Sequence, residues 1–309
     1  MTAATAAAGI VELGGGVTLA PLLPGLVQTS KARLQGRRGP SPLQPYRELR
    51  RLWRRSRVTP EPRTLVYELA PPVVAGASLL ALLLLPVGSS GASWGLGHDA
   101  LVLVGLLALA RFAITAAAWD TGSGFALMGA GRELTFAVFV EALLVLVIVL
   151  LALPAASTDL VTISALAADG EPWREPARWA ATAAFVLVVL AETGRQPIDN
   201  PDTHLELTMV HEGPLLEYAG RDQALLQWAA AARHWIMLVL VAELALPHPG
   251  PFAVQLAWLA GWLLALALAL AAIETLQAKM RILRVPLLLG GGAALCLLGL
   301  VSSLLGASA

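Results

Sequence analysis

The sequence predicts an all-α, polytopic integral membrane protein with about eight transmembrane helices and an amphipathic cytoplasmic helix at the membrane interface. Its composition supports this fold class: 57% of the 309 residues are hydrophobic and 14% are charged, with a mean hydropathy of +0.71. Soluble domains carry about 25% charged residues. The apolar residues form long runs rather than the alternation expected of membrane β-strands, so the spans are predicted to be helices.

Eight apolar segments approach or reach the roughly 20 residues that a membrane-spanning helix needs. They cover residues 8–28, 66–88, 99–119, 133–155, 177–194, 224–247, 251–274 and 285–306. The first is the least regular because it contains Glu12 and two prolines, and the fifth is short. The N-terminal sequence has no basic region preceding its apolar run, so we expect the first segment to remain as an anchor. The spans together form one transmembrane domain over residues 1–309.

Lysine and arginine are distributed unevenly between the loops. The basic loop 29–65 holds eleven of them and the other loops on its side add six, whereas the opposite loops hold only Arg174 and Arg178. Loops rich in lysine and arginine remain in the cytoplasm. The sequence therefore predicts that the basic loops are cytoplasmic and that both termini lie outside.

The basic loop 29–65 contains an amphipathic pattern. Its apolar positions at helical spacing are Tyr46, Leu49, Leu52 and Trp53, and its other face carries Arg47, Arg50, Arg51, Arg54 and Arg55. This pattern predicts a helix in the membrane interface, with the arginines towards lipid head groups. A basic anchor that only sets the orientation of the chain is the alternative. Nucleic-acid binding is not expected, because the charges lie beside lipid.

Several ionisable residues fall within or next to the predicted spans. They are Glu12, Arg111, Glu133, Glu141, Arg233, Glu243 and Glu274, with Glu68 and Glu192 near span ends. Each costs about 2.5–3.5 kcal/mol at bilayer depth, so each needs a partner, water or a function. Glu133 and Glu141 lie close to one helix face, where they could hold or pass a proton. Alternatively the charges pair structurally: Arg132 would neutralise Glu133, and the embedded arginines would pair with Glu141 or Glu243.

The acidic loop 192–223 begins with "ETGRQPIDNPDTHLELTMVHE" (192–212) and lies on the predicted cytoplasmic side. His204 and His211 are seven residues apart, but the sequence after His211 lacks the second histidine of an H-E-x-x-H zinc motif. The single cysteine, Cys296, lies in an apolar run. No metal site is therefore predicted in this chain.

The acidic loop is also predicted to contain a helix. Asp202 or Thr203 would cap it, and Pro214 would kink or end it. Its acids and histidines indicate either a polar chamber at the membrane surface or a docking face for a cytoplasmic protein. A solvated loop without function is the alternative.

Four blocks of the sequence carry a resemblance to a known family. They are "KARLQGRRGPSPLQPYRELRRL" (31–52), "GSGFALMGAGRELTFAVFVEALL" (122–144), "ETGRQPIDNPDTHLELTMVHEGPLLEYAGRD" (192–222) and "ETLQAKMRILRVP" (274–286). Together they resemble the membrane subunit shared by respiratory complex I, its subunit 1 family, and the energy-converting group 4 [NiFe] hydrogenases. Within the third block, Ile198 and the following "DNPDTHLEL" resemble the formate hydrogenlyase and hydrogenase-4 branch.

The resemblance implies a membrane subunit without a redox centre of its own. Such a subunit would anchor the hydrophilic hydrogenase arm and link its electron transfer to proton or sodium translocation across a bacterial or archaeal cytoplasmic membrane. The chain would bind no cofactor. The [NiFe] centre and the iron–sulfur clusters would belong to the hydrogenase large and small subunits and an iron–sulfur subunit, with antiporter-like membrane subunits completing the complex.

The resemblance also carries functional residues to matching positions in this chain. The expected proton-path or coupling residues are Arg132, Glu133, Glu141, Glu192 and Arg195. The expected partner-docking or chamber residues are Asp199, Asp202, Glu206, His211, Glu212 and Glu217. Two alternatives remain at this point: a quinone-chamber subunit of a complex I-type NADH:quinone oxidoreductase, and a self-contained ion transporter. Against the transporter, the second half of the sequence has no counterpart to the basic loop 29–65.

Overall fold

The computed structural model of the chain is an all-α bundle, as the sequence predicts. It describes residues 11–61, 63–87, 97–168, 175–199 and 210–307. Throughout those ranges the only extended pairing is a single bridge between Asp99 and Asp159. The predicted fold class is therefore confirmed.

Ten α-helices longer than one turn lie within the described ranges. They are α1 (Leu22–Leu34), α2 (Gln44–Trp53), α3 (Leu65–Leu83), α4 (Ala100–Asp120), α5 (Gly124–Ala152), α6 (Leu160–Ala168), α7 (Pro176–Glu192), α8 (Gly220–Leu240), α9 (Phe252–Leu276) and α10 (Val285–Ala307). A π-helical segment, Val11–Gly15, and a short helix, Gly16–Leu19, precede α1. A second π-helical segment, Val241–Ala245, continues α8.

Six helical segments in the described residues are long and apolar enough to cross a membrane. They are Leu65–Leu83, Ala100–Asp120, Gly124–Ala152, Gly220–Ala245, Phe252–Leu276 and Ile282–Leu305. They confirm six of the eight predicted spans. The predicted fifth span forms α7, whose 17 residues fall short of the usual spanning length. The predicted first span is interrupted after Leu19, and its helix resumes at Leu22 and continues to Leu34.

Apolar side chains fill the inside of the bundle and also cover its outer faces. Buried Leu, Val, Ile and Ala form the core where α3 packs on α4 and where α5 packs on α7 and α10. The outward faces remain apolar, for example Val138 at 67%, Leu287 at 78% and Leu298 at 67% exposed. Such a surface is stable against lipid and costly in water. The fold is that of a multi-pass membrane protein.

The predicted amphipathic helix is present as α2, with proline at its first turn. All five arginines of its polar face are exposed: Arg47, Arg50, Arg51, Arg54 and Arg55. Leu52, in contrast, is buried, and α2 packs on α8 and α1. Part of the apolar face is thus covered by protein rather than left for lipid.

The acidic loop differs from its prediction in the part that the structure describes. Residues 210–219 form turns and a short 3-10 helix at Gly213–Leu215 instead of a continuous α-helix. Pro214 lacks the amide hydrogen that an α-helix interior requires. Gly213 lies directly on Gly129 of α5: a Cβ built on Gly129 would stand 2.8 Å from the Gly213 Cα. This backbone contact holds the loop against α5, one turn from Glu133.

Candidate functional site

A buried arginine, Arg111 of α4, joins three carboxylates from two other helices. Its Nε lies 3.1 Å from Glu133 Oε1, its Nη1 donates to Glu141 Oε1 at 2.7 Å, and its Nη2 donates to Glu192. Glu133 and Glu141 both reach Arg111 from α5, so they share a helix face. Glu192 comes from the last residue of α7. Three separate parts of the sequence, positions 111, 133–141 and 192, thus meet inside the bundle.

The structure decides between the pairings that the sequence left open. Arg111 pairs with Glu141, as one interpretation proposed. Arg132 does not neutralise Glu133, because the Glu133 carboxylate turns inward to Arg111. In the described part of the chain Arg132 forms no ion pair, so the expected coupling role of Arg132 finds no support in this geometry.

His211 connects these buried charges to the acidic loop. Its Nε2 lies 3.7 Å from Glu133 Oε2, and its Nδ1 lies 3.5 Å from Asp199 Oδ2. Gly194 permits this approach, since a Cβ there would lie 2.9 Å from His211 Nδ1. Asp199 also binds Lys279 Nζ at 3.2 Å. His211 therefore bridges the buried carboxylates and the loop that carries Asp199.

The charges around His211 explain the direction in which its pKa is shifted. Burial lowers the pKa of His211, but Glu133 and Asp199 raise it by more, so that the pKa lies above its ordinary value. We name the connected residues the Arg111 cluster: Arg111, Glu133, Glu141, Glu192, Asp199, His211, Arg233 and Lys279. Its four carboxylates face three permanent cations, and protonated His211 supplies the fourth positive charge. Protonation of His211 thus balances the cluster.

A second ionic group, the Glu274 group, lies beside the Arg111 cluster. Glu274 of α9 accepts a hydrogen bond from Arg195 Nη1 at its Oε1 over 2.9 Å, and its Oε2 lies 3.1 Å from Lys31 Nζ. Arg195 also reaches His234 Nδ1 at 3.4 Å. All four side chains are buried. Arg195 is therefore part of a buried network, but its partner is Glu274 rather than one of the predicted proton-path carboxylates.

A cavity of about 1160 Å³ adjoins the Arg111 cluster. Glu133, Glu192 and His211 line one part of it, and Leu52 on α2 and Pro24 on α1 line another. The acidic loop is therefore the wall of a chamber, as one interpretation proposed, in the residues that the structure describes. Its volume is large enough for a drug-sized organic molecule.

The remaining predicted residues are less closely tied to this site. Glu212 lines the cavity, and Glu217 contributes its backbone carbonyl as an acceptor for the Tyr67 hydroxyl. Asp202 and Glu206, together with His204 and Thr203, lie outside the described residues, as does the Glu12 side chain. In the described ranges, no group of three or more His, Cys, Asp or Glu side chains is placed to hold a metal ion.

Some residues of the site are not in the predicted set. Arg111 and Arg233 had a usable signal, because each is a charge inside an apolar run. Lys31 and Lys279 gave no such signal in the sequence, because both lie in loops that are rich in lysine and arginine. Their inward orientation depends on the packing of α1 and of the chain after α9.

Comparisons with known proteins agree with this fold. The family model described as NADH dehydrogenase matches residues 10–301. The chain is 36% identical over 230 residues to hydrogenase-4 component C of Escherichia coli K12, which covers 74% of this chain and 71% of that protein. It is 32% identical over 229 residues to formate hydrogenlyase subunit 4 of the same organism, covering 74% of each.

More distant proteins share the fold. An NADH-quinone oxidoreductase subunit of Chlorobium luteolum is 26% identical over 185 residues, covering 57% of this chain and 48% of that protein. A chain of the membrane-bound sulfane sulfur reductase, an archaeal respiratory membrane complex, superposes with a TM-score of 0.82 at 20% identity, covering 96% of this chain and 99% of that chain. The resemblance carried by the four sequence blocks is confirmed: this chain belongs to the NADH dehydrogenase family of membrane subunits and is similar within it to the hydrogenase-4 and formate hydrogenlyase proteins.

Proposed function

We propose that this chain is the non-redox membrane subunit of a formate hydrogenlyase-type hydrogenase complex. It anchors a hydrophilic arm of hydrogenase large and small subunits and an iron–sulfur subunit, and it contacts antiporter-like membrane subunits. It links electron transfer in that arm to movement of protons or sodium ions. Similarity to two subunits of such complexes, over about three quarters of this chain, supports the proposal.

The Arg111 cluster is the observation that carries the coupling role. It runs from Asp199 and Lys279, at the acidic loop, through His211 to Glu133 and Glu141 inside α5. A change of charge or position at the acidic loop alters the electrostatic potential at His211. His211 in turn lies next to the buried carboxylate of Glu133. Because charges in a low-dielectric interior interact strongly, such a change shifts protons within the cluster. In this proposal the basic loop 29–65 lies in the cytoplasm and both termini lie outside.

Glu141 is the most useful residue for a test of coupling. Its side chain is 32% exposed, whereas Glu133 and Glu192 are almost completely buried. Replacing it by glutamine removes the charge, keeps the shape and leaves Arg111 with two carboxylates. We therefore expect Glu141→Gln to permit assembly.

We predict that the complex carrying Glu141→Gln assembles and keeps its hydrogenase activity, but loses most of its ion movement in proteoliposomes. Electron transfer and ion flux are measured in the same preparation. Glu68→Gln is the matched control, because Glu68 forms an exposed ion pair with Arg63 that is expected to contribute little. Full ion movement by an assembled Glu141→Gln complex would exclude this role for Glu141.

A quinone-chamber subunit is the second candidate function, and the cavity of about 1160 Å³ beside Glu133 and His211 favours it. Quinone reduction by the purified complex, inhibited by compounds that compete with quinone, would support this candidate. Hydrogen evolution without any dependence on added quinone supports the first. Ion flux through the isolated chain in liposomes would instead indicate a self-contained transporter.

A further inference from the structure

One member of the Arg111 cluster, Glu141, reaches the outer face of the bundle well inside a spanning helix. It lies 17 residues after the start and 11 residues before the end of α5 (Gly124–Ala152), so more than about 16 Å of helix separates it from either end. Its side chain is 32% exposed. Val138, one turn earlier on α5, is 67% exposed, and Phe112, next to Arg111 on α4, is 65% exposed. Glu141 therefore lies at the edge of an apolar outer surface at bilayer depth.

Only one carboxylate oxygen of Glu141 has a partner among the residues that the structure describes. Arg111 Nη1 donates to Oε1 at 2.7 Å, whereas Oε2 receives neither a hydrogen bond nor an ion pair within the described ranges. The two buried carboxylates of the cluster differ from it. Glu133 Oε2 lies 3.7 Å from His211, and Glu192 Oε2 lies 4.0 Å from Arg233. Glu141 is thus both partly exposed and short of one hydrogen-bond donor.

Lipid cannot supply the missing donor. Acyl chains have no N–H or O–H group, and a partly exposed carboxylate at bilayer depth is costly unless it meets a polar partner. Polar side chains form hydrogen bonds between neighbouring helices in membranes. We propose that a transmembrane helix of a neighbouring membrane subunit packs on α5 over Glu141 and Val138 and donates a hydrogen bond to Glu141 Oε2. This inference rests on the proposed function, in which the chain contacts other membrane subunits.

The charges at Glu141 define the chemistry of this donor. Arg111 already provides a cation to the carboxylate, and only 4% of the Arg111 side chain is exposed. What Glu141 lacks is therefore a hydrogen and not a further charge. A neutral donor, such as a hydroxyl, an amide or a protonated carboxyl group, satisfies Oε2 without placing a second cation in the membrane. The partner helix accordingly presents one neutral polar side chain at the depth of Glu141.

The outer face of α9 provides a comparison within the same chain. This helix packs on α1 and α8. Its exposed side chains are apolar and include Trp258 at 41%, Leu264 at 50% and Leu268 at 46%. Such a surface is stable against lipid as it stands. The α5 face differs from the α9 face by the carboxylate at its edge.

Photocrosslinking in the complete complex tests which face is covered. The photoreactive residue p-benzoylphenylalanine replaces Val138 in one preparation and Leu264 in the other, and native membranes are irradiated before purification. Both positions are exposed and lie well inside a spanning helix. We expect the Val138 position to crosslink to a spanning segment of a co-purifying membrane subunit, identified by mass spectrometry. The Leu264 position should give no crosslink to that subunit.

Variants of Glu141 test the hydrogen bond. The amount of the crosslinked subunit that remains in the complex is measured in increasing detergent. We expect Glu141→Leu to lower this amount by about threefold relative to the wild type, the usual effect of one interhelical hydrogen bond in a membrane. Glu141→Gln should retain the wild-type amount, because an amide can donate to or accept from a neutral partner. The amount of hydrophilic arm, measured in the same samples, should be equal in all three.

The outcomes separate this inference from the proposed function. A crosslink from the Val138 position to a membrane subunit, with weaker retention in Glu141→Leu alone, supports the docking face. In a complex that contains membrane subunits, a crosslink only to a second copy of this chain, or only to lipid, overturns the docking face and leaves the proposed function intact. Equal retention in Glu141→Leu and wild type overturns the hydrogen bond, and equal loss in both variants overturns the neutral donor. If Glu141→Leu does not assemble, the two crosslinking positions decide. A complex without any membrane partner contradicts the proposed function itself.

Discussion

At the scale of single residues, each buried charge of the Arg111 cluster is stabilised by contacts with groups of opposite charge. Arg111 contacts three carboxylates, and its own burial would be very costly without them. His211 completes the balance only when it is protonated. A single histidine, which can gain or lose one proton, therefore controls the net charge of a buried cluster.

His211 makes the stability of the protein depend on pH. Because its pKa is raised in the folded state, the stabilisation is fully present below the ordinary value of about 6.5 and is lost as pH rises through the folded value. We expect His211→Gln to destabilise the complex by on the order of 1 kcal/mol at pH about 6, and by less at pH about 9. Thermal unfolding at both pH values measures the difference. Equal destabilisation at the two pH values would contradict a raised pKa of His211 in the folded protein.

At the scale of elements, the contact between α5 and the acidic loop positions His211. Gly129 and Gly213 meet backbone to backbone, and Glu133 lies one turn further along α5. Because neither glycine has a side chain, the backbone of the acidic loop can pack directly on α5. Sequence periodicity does not show this contact, because it depends on which helix the loop meets.

A matched pair of substitutions on α5 tests this contact. A Cβ on Gly129 would lie 2.8 Å from Gly213 and Pro214, whereas a Cβ on Gly131 has open space. We expect Gly129→Ala to destabilise the protein by about 1–3 kcal/mol and to increase protease cleavage within 210–219. Gly131→Ala should be neutral or stabilise by up to about 1 kcal/mol, because alanine favours helix. Equal effects of the two substitutions would argue against close packing of the loop on α5.

At the scale of the whole molecule, apolar side chains fill the bundle and cover its outer faces, whereas the charged side chains between the spanning helices are buried against one another. This arrangement suits a bilayer, where an embedded charge is stable only against a partner or water. The basic loop 29–65 lies at one end of the bundle, and the buried side chains of Ser164, Glu243 and His248 meet towards the other, so the two ends differ chemically. Orientation in the membrane then determines which aqueous phase each end meets.

Cysteine labelling in whole cells tests the orientation. Ser56 and Pro154 are exposed and lie at opposite ends of the predicted topology. With a membrane-impermeant maleimide, we expect Pro154→Cys to react in spheroplasts. We expect Ser56→Cys to react only after permeabilisation, because Ser56 lies in the basic loop 29–65, which is predicted to be cytoplasmic. The native Cys296 is 1% exposed and should give little background. The reverse labelling pattern would invert the proposed topology.

The sequence by itself determined the fold class, most of the spans, the amphipathic helix α2 and the family, because apolar run length, periodicity and the four blocks are local properties. It also indicated that Glu133, Glu141 and Glu192 need partners, since an embedded charge is costly wherever it lies. Only the tertiary structure decided which partner each charge has. Arg111 rather than Arg132 binds Glu133, Glu274 binds Arg195, and Ser164 meets Glu243 and His248. These pairings join residues 22 to 84 positions apart, and short-range electrostatic contacts form only where helix packing brings the groups together.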